Sequence, residues 1–101
     1  MFAVGDFVEY SDSTTREIGE IDDILVHELT RSRRLFVRIS KVRLAHEADT
    51  CGARDRILDL PHVVFTGDFS IIGLSAIQSR KLYIVQIGDN LVWNDWTLQF
   101  L

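Results

Sequence analysis

Apolar and polar side chains alternate most cleanly at residues 35–40, where Leu35, Val37 and Ile39 interleave with Phe36, Arg38 and Ser40. A period of two puts successive side chains on opposite faces of an extended strand. Val42 and Leu44 fall on the other parity from these three, so a bulge near Ser40-Lys41 is expected if one face is to stay buried. Upstream, residues 17–29 carry Ile18, Ile21, Ile24, Leu25, Val26 and Leu29. Helical spacing competes there, but β-branched residues dominate and Gly19 lies inside the run. Both favour a long strand, bulged or kinked at Asp22-Asp23. Thr30 to Arg33 then read as the turn of an antiparallel hairpin between strands 17–29 and 34–44.

The same pattern predicts a short first strand at 5–10 and a loop over the turn formers at 11–15. Thr14 and Glu17 have the spacing of a helix-capping box, but Gly19 and the Ile-rich run behind it argue against a helix. Residues 45–55 have no useful period and predict a surface excursion with room for one helical turn. Residues 62–85 hold two apolar runs interrupted at Gly67-Asp68 and at a Gly73-Leu74-Ser75 corner. They predict a strand, a turn and another strand joined by a packed bend, with a tight helical turn at 74–77. Phe65, Ile72, Leu74, Ile77 and Ile84 are the expected core residues there. A strand at 81–87, a turn at Gly88-Asp89-Asn90 and a partner strand at 91–93 follow. The end, 94–101, can start a helix at Asn94 or Asp95 or stay extended. The expected fold is mainly β: a small twisted, partly open β-barrel of about six strands with little helix, forming one domain over residues 1–101.

Composition adds limits. The chain has 101 residues, 47% of them apolar and 26% charged, as in an ordinary globular domain. A single cysteine, Cys51, excludes an internal disulfide framework and fits a reducing compartment. The start lacks a basic and apolar leader, and no apolar run approaches the roughly 20 residues that span a bilayer. These features lead to the expectation of an intracellular protein without a membrane partner. The net charge of −4 is unevenly spread. Residues 1–30 carry eight acids and one base, whereas 31–43 carry Arg31, Arg33, Arg34, Arg38, Lys41 and Arg43 with no acid. On alternating positions Arg34, Phe36, Arg38 and Ser40 would share one outward face. That face could hold phosphates, or it could pair with the acidic strand beside it across the hairpin, which is the favoured outcome.

Candidate chemistry is sparse. His46, Cys51 and His62 lack the pair spacing of a zinc site, and Asp22-Asp23 lie in a strand-like run rather than a shaped cation loop. No nucleophile–base pair and no glycine-rich phosphate loop stands out, so neither an enzyme nor a cofactor or metal is expected. Trp93 and Trp96 are both binding candidates, with core filling the competing role for Trp93. Trp96 is the better interface candidate, because an exposed Trp is costly unless it binds something.

The order of these segments resembles that of bromo-adjacent homology (BAH) domains. Gly5-Asp6-Phe7-Val8-Glu9-Tyr10 is similar to the family's Gly-Asp-x-Val opening, Ile18-Gly-Glu-Ile21-Asp-Asp-Ile24 to its next strand, and Leu35-Phe-Val-Arg-Ile39 to the one after. Val63 to Ile77 followed by Lys81-Leu-Tyr-Ile-Val85 resembles the family's strand, Ile-Pro-Leu/Val-Ser-x-Ile corner and closing strand, with Gly73 where Pro is usual. The resemblance covers roughly residues 5–44 and 62–93. It implies a non-enzymatic interaction module of chromatin or a mobile element, nuclear, with a histone tail or another chromatin protein as partner. Members that read methylated lysine place a Trp and a Tyr just past the strand corresponding to 35–39. Here Ser40-Lys41-Val42-Arg43 holds no aromatic, so an aromatic cage is not expected. Two alternatives stand beside it. One is a nucleic-acid-binding β-barrel using Arg31, Arg33, Arg34, Arg38 and Arg43. The other is a structural or oligomerising domain of a larger protein, a homodimer through its C-terminal residues.

Overall fold

In the structure, a computed structural model, residues 2–94 are described, without the side chains of Leu29, Ser79 and Arg80. Seven strands form one antiparallel sheet: β1 (Phe7–Asp12), β2 (Thr15–Leu29), β3 (Ser32–Leu44), β4 (His62–Gly73), β5 (Ile77–Leu82), β6 (Ile84–Ile87) and β7 (Asn90–Trp93). A 3-10 turn, Leu74–Ala76, links β4 to β5. The sheet order is β5-β1-β2-β3-β4-β7-β6, so the sheet is open rather than closed into a barrel. Its two edge strands are nonetheless joined through one residue, Tyr83, which forces the sheet to curl until those edges adjoin. The Asn94 amide donates to the Tyr83 carbonyl at 2.7 Å, extending the β6–β7 ladder to this joining residue.

The hairpin pattern read from the sequence is present, with β2 and β3 in register from Ile18↔Val42 to Leu29↔Ser32. The β2 register slips by one residue between Ile21 and Asp23, the bulge expected at Asp22-Asp23. That extra residue puts Ile24 opposite Val37, back on the face of Ile21 and Ile39.

Two expectations are corrected. Residues 62–73 are one strand, not a strand and a turn: Gly67, at φ 87°, lets β4 bulge where it passes Lys41. The irregularity near Ser40-Lys41 lies in the β3–β4 pairing, while β2–β3 stays unbroken through Ser40, Lys41 and Val42. The parity change in β3 therefore remains, and Ile39 and Val42 point to opposite faces. Both are buried, in separate clusters.

Those clusters lie back to back across the shared sheet. One gathers Val8, Tyr10, Ile21, Val37, Ile39, Ile72 and Ile77, with Phe2 and Ala76 against it. The other gathers Phe7, Val42, Val63 and Ile84, with Ile18, Leu82, Leu91 and Trp93 against it. Adjacent residues of β1, Phe7 and Val8, serve one cluster each. The alternation in β1–β3 thus serves a buried cluster on each face of the body, the second face being buried only around Val42. Burying each Ile or Val side chain contributes about 2 kcal/mol.

Residues 45–61 form a run of turns without a helix and lie over the start of β4. Backbone bonds from Ala45 to the His62 carbonyl and from His62 to the Ala53 carbonyl, both 2.9 Å, pin the excursion. At the other end of the sheet β4 leaves β3 at Phe36↔Gly73, and β1 covers β2 only as far as Glu20 and Ile21. The rest of the hairpin projects as a two-stranded arm, which accounts for the long dimension in principal extents of 54 × 32 × 27 Å.

Candidate functional site

The outward face of β3 carries Arg34, Phe36, Arg38 and Ser40, as the alternation requires. Register places Leu25 and His27 of β2 beside Phe36 and Arg34, and Phe69 and Ile71 of β4 beside Ser40 and Arg38. Phe69 and Ile71 are 51% and 62% exposed, and Phe65, further along the same face of β4, is exposed too. The face is therefore a continuous apolar and aromatic strip with guanidinium groups along it.

Its centre is organised. The Arg38 guanidinium carbon lies 4.2 Å above the Phe69 ring centroid, and Arg38 Nη1 is 3.5 Å from Asp22 Oδ2. A cation over a ring face is drawn to the ring quadrupole, and here the bulge at Asp22 supplies the carboxylate that steadies it. The His27 and Phe36 rings meet edge-to-face at 6.4 Å, and Phe65 leans on Phe7 at 6.3 Å. Glu20 lies alongside, between Phe7 and Ser40. Partial burial raises its carboxyl above the ordinary range, with a smaller push from Asp22.

The arginines singled out in the sequence do not form one site. Arg33 pairs with Glu28 at 2.6 Å on the opposite face from Arg34. Arg43 makes a two-pronged contact with Asp49, at 2.9 and 3.0 Å, and so ties β3 to the 45–61 excursion. That contact, with the His46 amide, holds the Asp49 carboxyl far below its ordinary range. Pairing with the acidic strand across the hairpin is thus realised for Arg33 and Arg38, while Arg43 finds another acid. Arg31, in the arm's turn, and Arg34 have no acidic partner among the described residues. Trp93 is half-buried against the cluster of Phe7, Val42, Val63 and Ile84, the competing core role, and it does not lie with the arginines. Trp96 lies outside the described residues.

Phe65 and Leu74, expected in the core, are exposed: Phe65 because β4 has left the cover of β7 after Val63, Leu74 because it lies in the 3-10 turn beyond the end of β4. Phe69 and Ile71 were missed as surface residues. The signal was present: Phe69 and Ile71 alternate with Ser70 and Ile72, and only Ile72 is buried.

His62 is buried, with Nδ1 3.1 Å from the Gly52 carbonyl and Nε2 4.0 Å from Asp55 Oδ2. It anchors the excursion to β4. Two open grooves of about 860 and 760 Å³ flank that excursion, one lined by Cys51, Val63, Phe65 and Leu91, the other by His62, Asp55 and Arg56. Among the described residues no three His, Cys, Asp or Glu side chains gather as a metal site. No family model matches the chain, and neither a curated protein nor a solved structure does.

Proposed function

We propose that the chain is a non-enzymatic, BAH-like protein-interaction module that docks its partner on the outward face of β2, β3 and β4. The observation that carries this is Arg38 laid over Phe69 within the exposed strip of Phe65, Phe69 and Ile71. Exposed contiguous apolar surface marks interaction sites, and aromatic and arginine side chains together are what interface centres are enriched in. Aliphatic Ile71 and Leu25 on the same face favour a protein over stacked bases. The partner would place an apolar side chain between Phe69 and Ile71 and a carboxylate toward Arg34. By the family resemblance it is a histone tail or another chromatin or mobile-element protein, met in the nucleus.

A second reading has its own support. Arg31 and Arg34 have no acidic partner among the described residues, and Arg34, Phe36, Arg38 and Phe69 interleave cations with rings as single-strand platforms do. A screen of histone peptides, chromatin proteins and nucleic acids at two salt concentrations separates the two. Protein binding weakened about tenfold by Phe69→Ala and little by salt supports the docking module. Binding to nucleic acid alone, falling steeply with salt and lost in Arg31→Ala/Arg34→Ala, overturns it.

A further inference from the structure

The projecting arm has an open hydrogen-bonding edge. The Gly5 amide donates to the Ile21 carbonyl and the Ile21 amide to the Asp6 carbonyl, at 2.9 and 2.8 Å, so Ile21 faces away from β3. The one-residue bulge at Asp22 inverts that alternation. Beyond it, the backbone groups of Ile24, Val26 and Glu28 face away from β3. Consistently, the Ile24 amide is taken by its neighbour's side chain, Asp23 Oδ1, at 2.8 Å, and not by β3. Among the described residues no strand lies along this side of β2 from 22 to 29. Such an edge is a template for another strand, and a two-stranded ribbon is marginal alone.

We propose that residues 23–29 of β2 pair antiparallel with the same residues of a second copy of this chain, about a two-fold axis at Val26. The inference is independent of the docking face. Three features select a second copy. The outward-facing residues 24, 26 and 28 are symmetric about Val26, so Ile24 meets Glu28 of the second copy and Val26 meets Val26. Every outward amide then finds an outward carbonyl, the Ile24 amide by exchanging Asp23 Oδ1 for it. The side chains are compatible: Val26 meets Val26 on the axis beside the exposed Leu35 of each arm, and Ile24 lies along the stem of Glu28, whose carboxylate is paired with Arg33. The charges match as well. Antiparallel pairing brings the acidic base of one arm, Asp22-Asp23, beside the basic turn of the other. Among the described residues Arg31 has no acidic partner in its own chain, and the Asp23 carboxylate is engaged by the Ile24 amide alone. Because each arm ends at residues 30–31, the partner's β1 clears its tip. The interface is isologous, as two-fold dimers require.

Sedimentation and light scattering of the full chain from low to high micromolar concentration test this. A monomer–dimer equilibrium is expected, with the Val26 and Glu28 amides gaining hydrogen-exchange protection as concentration rises. Val26→Lys sets two ammonium groups together on the axis and should leave a monomer with an unchanged circular dichroism spectrum. Asp23→Arg and Arg31→Asp should each weaken the dimer about threefold, and together restore it. A strict monomer overturns the proposal. So does a dimer that survives Val26→Lys, or one whose concentration-dependent protection falls elsewhere.

Discussion

Ile21 and Ile39 face each other at the body end of the β2–β3 hairpin and are 1% and 0% exposed. Val26 and Leu35 face each other further along, on the same side of the same hairpin, and are 57% and 44% exposed. The residue types, the pairing and the backbone are alike; only the cover differs. Val8 and Tyr10 from β1, Ile72 from β4 and Ile77 from β5 close over the first pair. None of these reaches the second, because β4 leaves at Gly73 and β1 begins at Phe7. An apolar alternation therefore makes a strand, while the neighbours' lengths decide whether that strand is core or surface.

The widest gap between the two regions should appear on truncation. Ile39→Ala should cost about 3–4 kcal/mol of unfolding free energy, since a closed cluster cannot collapse around the void. Leu35→Ala in the arm should cost less than about 1 kcal/mol. Urea denaturation of the two variants at low protein concentration checks this. Equal losses would mean that the face of the arm is covered in solution; edge-to-edge pairing of two arms would not produce this, because it leaves the face of Leu35 open.

A smaller loss should follow from filling space in the body. Gly19 lies inside β2, where an added Cβ would run into the Ile39 side chain and come within 2.8 Å of the Ser40 carbonyl oxygen. Gly19→Ala should therefore cost about 2 kcal/mol, against the usual gain for removing a glycine from a strand. A neutral result would show that β2 and β3 can separate there, and that the body is less tightly packed than its burial implies.

The β2–β3 hairpin and the Asp22-Asp23 bulge were legible in the sequence because both are local: alternation and its interruption can be read within one segment, whereas the expected strand at 81–87 is two strands broken at Tyr83. The outward set of Arg34, Phe36, Arg38 and Ser40 was legible for the same reason. What stayed hidden depends on partners distant in the chain. Val42 looked like a parity fault to be repaired by a bulge in β3. It is a residue of a second cluster, whose other members come from β1, β4 and β6. Arg43 looked like part of a basic face, but the acid that takes it, Asp49, sits in a stretch without any period. Phe65 and Leu74 looked like core because they are apolar; their exposure follows from where β4 runs out of neighbours.

The smallest effect expected lies at the border between body and arm. Glu20 is held between Phe7 and Ser40 just before the bulge, and partial burial lifts its carboxyl above the ordinary range, with Asp22 adding to the lift. A raised carboxyl binds its proton more tightly in the folded chain than in the unfolded one. Its ionisation therefore costs stability as pH rises through the window between the ordinary and the raised value, and the full cost persists above that window. Glu20→Gln removes the cost, so the variant should be slightly more stable than the parent at neutral pH. The advantage should fade as pH falls below the ordinary carboxylate range, where the parent is protonated in both states. Asp49, held low by Arg43, has the opposite sign: its contribution is present above the ordinary carboxylate value and is lost only in strong acid. Urea midpoints of parent and Glu20→Gln measured from acid to neutral pH decide the matter. An advantage that grows toward acid would mean that Glu20 is stabilised as an anion, and that the border is wetter than its neighbours Phe7 and Ser40 make it.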